Sequence, residues 1–137
     1  MPSQTLPEDE LRDHIRAAIS GMIYISETEE PLELLEWGRF ITLEALQHKI
    51  SEKTGLPWTL QQIIPAADFL AGIHRASDPS DPLMLEYAKR YDALFDLLES
   101  QSTEVVIIRC GESESHLFIV ARVSADSIII HTTATET

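Results

Sequence analysis

Three glutamates, Glu27, Glu29 and Glu30, lie close together in the sequence and are followed at once by Pro31. The serine and threonine among them and the closing proline are typical of a loop. Grouped carboxylates can form a solvated turn, hold a divalent cation, or imitate the negative charge of a phosphate. Calcium is disfavoured, because it takes about six to eight oxygen ligands from a glycine-containing loop and this segment ends too soon. A solvated turn and phosphate mimicry both stay open.

The other residues that could do chemistry are scattered. There is no phosphate-binding glycine loop, no paired-cysteine motif and no serine elbow. The five histidines have no histidine or cysteine neighbours at metal-ligand spacing; they are His14, His48, His74, His116 and His131. Cys110 ends an apolar stretch with no adjacent base, so we expect a buried, unreactive thiol. The sequence predicts a protein without catalytic residues, cofactors or a metal site of its own.

The charge balance is strongly acidic: 23 aspartates and glutamates stand against 10 lysines and arginines, giving a formal net charge of -13. Phosphate backbones and anionic membrane surfaces are bound through basic side chains and would repel this chain. The charge therefore predicts a basic protein as partner, and excludes nucleic acid and membrane. A role in solubility alone is the competing explanation.

The first element is predicted to be a helix that begins near Thr5. Thr5 and Glu8 have the spacing of a capping box, and Pro7 suits an early helical position. Gly21 lies where a C-terminal cap is expected. The apolar positions recur at helical spacing; they are Leu11, Ile15, Ala18, Ile19 and Met22.

A hairpin is predicted around the glutamates. Residues 22–25 are apolar and partly β-branched, which favours a strand that leads into the acidic loop at residues 26–31. Residues 32–37 have glutamates between apolar positions and are interpreted as the second strand, ended by Gly38.

Two further helices have clear start residues, and the first of them also has a clear stop. Thr42 is expected to cap a helix that ends at Gly55, and Asp81 is expected to cap one whose first residue is Pro82. The second helix has a long apolar face, formed by Leu85, Ala88, Tyr91, Leu94, Phe95 and Leu98. Between these two helices we expect a strand at residues 60–64 and a short helical piece.

The C-terminal part switches to strand patterning. Residues 105–110, 117–123 and 128–130 are rich in β-branched residues and are separated by turn residues, which predicts three antiparallel strands before a polar end at residues 131–137. Continuous apolar strands indicate a sheet covered on both faces. The predicted fold is α+β: one domain over residues 1–137, an α/β/α three-layer sandwich with a largely antiparallel central sheet.

The lone cysteine cannot form an internal disulfide, and no apolar leader opens the sequence. No apolar run approaches the roughly 18–20 residues needed to span a bilayer. The lone cysteine and the lack of a leader favour the cytoplasm, and the lack of a long apolar run excludes membrane insertion.

Several segments together resemble the nuclease A inhibitor-like proteins. The strongest is Gly-Met-Ile-Tyr-Ile-Ser-Glu-Thr-Glu-Glu-Pro at residues 21–31, with Leu32, Glu33 and Trp37 downstream. The helix at 91–98, the Arg-Cys-Gly-Glu turn at 109–112, the strand at 117–120 and the final Glu-Thr match in the same order, whereas residues 38–75 match poorly. The resemblance implies an α/β/α sandwich that inhibits a sugar-non-specific, divalent-metal-dependent DNA/RNA endonuclease and has no catalytic activity itself.

The resemblance also implies a partner-binding surface. Glu27 would pair with an active-site arginine of the nuclease, and Thr137 would approach the nuclease's Mg²⁺. The residues expected to bind the partner are Glu27, Glu29, Glu30, Asp78, Glu136 and Thr137. Pro79 stands where the family can carry a tryptophan, so one large contact is missing. The alternative is an acidic interaction module of the same fold with a different basic partner.

Overall fold

The computed structural model describes residues 5–136, which form four α-helices, seven β-strands and one 3₁₀ turn. The helices are α1 (Glu8–Ile19), α2 (Leu43–Thr54), α3 (Ala66–Ala76) and α4 (Pro82–Gln101). The strands are β1 (Ile23–Ile25), β2 (Glu29–Pro31), β3 (Glu33–Leu34), β4 (Gln61–Pro65), β5 (Glu104–Gly111), β6 (Glu114–Val123) and β7 (Asp126–Thr135). The 3₁₀ turn, Trp58–Leu60, leads into β4. None of the helices in residues 5–136 is long and apolar enough to cross a bilayer.

The main sheet has five strands in the order β3-β7-β6-β5-β4, and every neighbouring pair is antiparallel. Strands β5, β6 and β7 form a meander in which Ile119 of β6 lies opposite Ile107 on one side and Ile130 on the other. Strands β1 and β2 form a separate two-stranded hairpin. The α+β class with an antiparallel sheet is confirmed.

Helices cover both faces of the sheet. Since side chains alternate along a strand, Ile107, Ile119 and Ile130 point into one core, which is closed by α1, α3 and α4. Their neighbours Ile108 and Phe118 point into a second core, closed by Leu46 and Ile50 of α2. Burial on both faces explains the continuous apolar strands, as expected for a three-layer sandwich.

The predicted caps of α2 and α4 are confirmed. Thr42 Oγ1 accepts a hydrogen bond from the backbone N–H of Ala45 at 3.1 Å, and Gly55 ends the helix at φ 71°. Asp81 Oδ1 accepts from the N–H of Leu83 at 2.9 Å, with Pro82 as the first helical residue. The predicted strand near residue 60 corresponds to β4, and the short helical piece is an 11-residue helix, α3.

The predicted capping box of α1 is wrong. The helix begins at Glu8, with Pro7 at the N-cap position and no side-chain cap. Thr5 lies two residues too early, because the first helical hydrogen bond runs from Leu11 N–H to the carbonyl oxygen of Pro7.

The predicted second strand of the hairpin is also wrong. Its second strand is Glu29–Pro31, so Glu29 and Glu30 belong to the strand and not to the loop. Of residues 32–37 only Glu33–Leu34 form a strand, and this strand pairs with β7 of the main sheet. The turn is short, with Ser26 N–H bonded to the carbonyl oxygen of Thr28, so pairing with β1 begins already at Glu29. The N–H of buried Leu32 still donates across the hairpin, to the carbonyl oxygen of Met22 at 3.3 Å.

The last strand is longer than predicted. We expected it at residues 128–130 with a polar end from His131, but β7 continues to Thr135. Thr132 and Ala134 are buried, and Thr135 lies opposite Glu114 of β6. β-Branched threonines suit a half-buried strand, and the partner strand fixes their pairing.

Candidate functional site

The turn between β1 and β2 displays one of the three clustered glutamates. Ser26 N–H donates to the carbonyl oxygen of Thr28 at 2.9 Å, which closes the turn with exposed Glu27 at its tip. Glu29 is exposed and Glu30 is partly buried, and as adjacent residues of β2 they point to opposite faces. The three carboxylates therefore do not converge on one point.

This turn is joined to the end of β7 by two hydrogen bonds. Thr135 N–H donates to Ser26 Oγ at 3.0 Å, and Glu27 N–H donates to the carbonyl oxygen of Thr135 at 3.1 Å. The structure thus brings together the acidic turn and the segment that leads to Thr137. Thr137 itself lies outside the described residues.

Glu136 is held within the chain. Its N–H donates to the carbonyl oxygen of Ser113 at 2.7 Å, and its Oε2 lies 3.1 Å from Nη2 of Arg109. Glu136 is exposed and Arg109 partly buried, so this ion pair contributes little to stability. Together with the backbone hydrogen bond, it restricts the position of Glu136.

Two tyrosines of α4 support the hairpin, and our sequence analysis did not identify them as site residues. Tyr87 Oη accepts from Ile25 N–H at 3.0 Å, and Tyr91 Oη donates to the carbonyl oxygen of Ile23 at 2.9 Å. Burial raises the pKa of both phenols, so both stay neutral and protonated. In the sequence, their spacing of four residues indicates that both lie on one face of a helix, but the same spacing is typical of any helix that packs into a core.

Asp78 lies in a turn of its own just before α4. Its Oδ1 accepts from Ser80 Oγ at 2.7 Å and from Ser80 N–H at 2.9 Å, and these two bonds hold the pKa of the Asp78 carboxyl below its usual value. The side chain is exposed and does not reach the hairpin through any described hydrogen bond or ion pair. Its carbonyl oxygen accepts from Asp81 N–H at 3.0 Å, which places Asp78 beside the end of α4 that faces β1.

Comparison with known protein families identifies the family of this chain. The family model described as nuclease A inhibitor-like protein matches residues 9–137. The chain belongs to the nuclease A inhibitor-like family. The match includes the hairpin turn, the Asp78 turn and the tail, and it confirms the resemblance seen in the sequence. No curated protein matches the chain closely enough to count as a relative.

The remaining reactive side chains do not form a catalytic or metal-binding group in the part of the chain that the structure describes. Cys110 is buried as expected, and burial raises the pKa of its thiol. His116 Nδ1 and His131 Nε2, distant in sequence, lie 3.0 Å apart, and His131 Nδ1 lies 3.0 Å from a carboxylate oxygen of Glu33. Across residues 5–136, no three histidine, cysteine, aspartate or glutamate side chains are grouped to hold a metal ion.

Proposed function

We propose that this family member inhibits a sugar-non-specific, divalent-metal-dependent DNA/RNA endonuclease in the cytoplasm, by placing Glu27 and Thr137 in the nuclease active site. The protein has no catalytic role in this proposal and needs no cofactor. The observation that supports the proposal is the pair of hydrogen bonds between the turn and Thr135, because it holds the acidic turn against a residue that stands two positions before Thr137 in the sequence.

Both groups suit a nuclease active site chemically. A carboxylate can replace a phosphate as the partner of an arginine, often with two parallel hydrogen bonds. The hydroxyl of Thr137 offers a hard oxygen of the kind that Mg²⁺ prefers. Neither group contains a bond that the nuclease can cleave, so the site is occupied without turnover.

The other acidic residues contribute charge and position. A net charge of -13 attracts a protein whose cleft is basic enough to hold nucleic acid, and raises the association rate at low salt. Glu29, Glu30 and Asp78 are proposed to add to this field near the contact. Glu136 is proposed to act mainly as a positioning residue, because Arg109 already binds its carboxylate.

The test is inhibition of a purified nuclease of this class, with DNA in excess and salt fixed. Wild-type protein should inhibit with one-to-one stoichiometry, while Glu27→Gln and Thr137→Val should weaken binding. Losing the Glu27 carboxylate would leave a buried arginine unpaired, a cost of about 2–5 kcal/mol. Thr137→Ser should restore binding because it retains the hydroxyl. Glu99→Gln, which removes the same charge at the exposed far end of α4, is the matched control.

Unchanged inhibition by both Glu27→Gln and Thr137→Val would exclude this contact surface. If wild-type protein instead fails to inhibit but binds a basic protein without nuclease activity, the acidic interaction module replaces the inhibitor proposal.

A further inference from the structure

A groove of about 370 Å³ lies between the β1–β2 hairpin and the first turns of α4. Its apolar lining comes from both elements: Ile23, Ile25, Leu83, Met84 and Tyr87. Leu83 is 80% exposed, which is unusual for a leucine in a helix that contributes to the core. The groove therefore has an apolar surface that the described chain leaves uncovered.

Hydrogen bonds fix how the groove is oriented relative to the acidic turn. Tyr87 bonds to Ile25 and Tyr91 bonds to Ile23, so α4 and β1 run in opposite directions. The Leu83 end of the groove is consequently the end beside the turn that contains Glu27. The groove is continuous with the surface proposed above to enter the nuclease.

The charged residues along the groove are unequally engaged. Glu29, Asp81 and Glu86 line it, and none of the three forms an ion pair within the described residues, although Asp81 Oδ1 caps α4 by accepting from Leu83 N–H. Arg90 lines the opposite end, where its Nη2 donates to the carbonyl oxygens of Ala18 and Ser20 at 3.0 and 2.9 Å. Its charge is thus directed at the C-terminal end of α1, where a cation is favourable.

An apolar floor with carboxylates along it fits a long basic side chain. The methylene groups of lysine or arginine can pack on leucine, isoleucine and tyrosine while the cationic head reaches the carboxylates. A purely aliphatic side chain would displace water from those carboxylates without replacing the hydrogen bonds that the water donates. An acidic side chain would be repelled by the carboxylates.

We infer that this groove receives a lysine or arginine side chain that flanks the active site of the bound nuclease. The inference rests on the proposed function and adds a second contact to it, separate from Glu27 and Thr137.

The test compares the Kd for the nuclease of two variants with identical net charge. Leu83→Lys places a competing cation at the groove, and Leu85→Lys places the same charge on the same helix at a position that does not line it. We expect Leu83→Lys to weaken binding about 100-fold and Leu85→Lys by no more than about threefold, since like charges are costly only where they are juxtaposed. Asp81→Asn removes a carboxylate and retains the helix cap, and should weaken binding about tenfold.

Each failure has its own signature. If wild-type protein inhibits and Glu27→Gln weakens it, but Leu83→Lys and Leu85→Lys bind equally well, the groove inference is wrong and the proposed function stands. If wild-type protein does not bind the nuclease, the proposed function itself is wrong, and the inference falls with it. Thermal unfolding of each variant separates lost binding from lost folding.

Discussion

The backbone N–H of Glu27 donates a hydrogen bond of 3.1 Å to the carbonyl oxygen of Thr135. This bond joins the tip of the hairpin to the last residue of the sheet's central meander. A turn held in this way loses less conformational freedom when a partner binds, which increases affinity without adding a contact.

The first prediction concerns Ser26, whose hydroxyl completes that connection. Ser26→Ala removes the acceptor for Thr135 N–H and should lower the free energy of unfolding by about 1 kcal/mol. It should also speed hydrogen exchange at the Thr135 amide and weaken nuclease inhibition, although Glu27 and Thr137 are untouched. Ser113→Ala is the control, because Ser113 holds the tail through its backbone carbonyl. Equal exchange rates in the two variants would contradict this role of Ser26.

Helix boundaries could be predicted from the sequence because their causes are local. The side chain of Thr42 or Asp81 bonds to an N–H only two or three residues away, and Gly55 adopts its positive φ within the same turn. The capping box at Thr5 failed because Pro7 set the start of α1 two residues later. A local capping signal predicts a helix boundary correctly only where no second signal, such as Pro7 here, lies close to it.

The hairpin and the tail could not be predicted in the same way. Residues 32–37 have an apolar pattern that suits a strand, but their partner is β7, almost a hundred residues later in the sequence. Only Glu33 and Leu34 form the strand there, and the N–H of Leu35 adds one more bond, to the carbonyl oxygen of Ile129 at 2.9 Å. The polar composition after Ile130 favoured an end outside the sheet, whereas β7 continues and buries Thr132 and Ala134. Long-range pairing determined both outcomes, as it determines the contact between Ser26 and Thr135.

The second prediction concerns Gly111, at the turn that receives the tail. Its φ is +115°, and a Cβ there would lie 2.5 Å from the carbonyl oxygen of Glu114. Gly38→Ala is the matched control, since Gly38 has a φ of +102° but nothing within 4 Å of the added Cβ. Backbone strain alone should cost Gly38→Ala about 1–3 kcal/mol. Gly111→Ala should cost roughly 1–3 kcal/mol more, because the clash adds to the strain.

Urea unfolding of both glycine variants measures this difference. If Gly111→Ala is as stable as Gly38→Ala, the backbone at Glu114 moves away from the new Cβ without a measurable loss of stability, and the predicted clash is wrong.

The third prediction separates the cap of α4 from its charge. Asp81→Ala leaves the N–H of Leu83 without its acceptor and should lower the free energy of unfolding by about 1 kcal/mol. Asp81→Asn should remain within a few tenths of a kcal/mol of wild type, because asparagine caps as well as aspartate. Denaturant titration distinguishes them. Similar losses in both variants would assign the stabilisation to the negative charge at the helix N-terminus instead of the hydrogen bond.

The last prediction is a pH dependence of stability that arises at His116. Burial lowers the pKa of this imidazole below its ordinary value of 6.5, and the neighbouring His131 lowers it further. The unfolded chain therefore binds the proton more tightly than the folded one. The contribution of His116 to stability is complete above its ordinary, unfolded pKa and is lost as the pH falls from there through the lower pKa of the folded protein. Within this window, the free energy of unfolding should fall as acid is added.

The groups around His116 show how this slope can be assigned. His131 bonds to His116 through Nε2 and to Glu33 through Nδ1, and a carboxylate can only accept, so Nδ1 of His131 carries a proton. In the neutral ring, Nε2 then accepts from Nδ1–H of His116. His116→Gln retains a donor and removes the titration, so it should flatten the slope in that window. His14→Gln, the same substitution at an exposed position of α1, is the matched control. A wild-type slope that survives in His116→Gln would contradict the assignment of the pH dependence to His116.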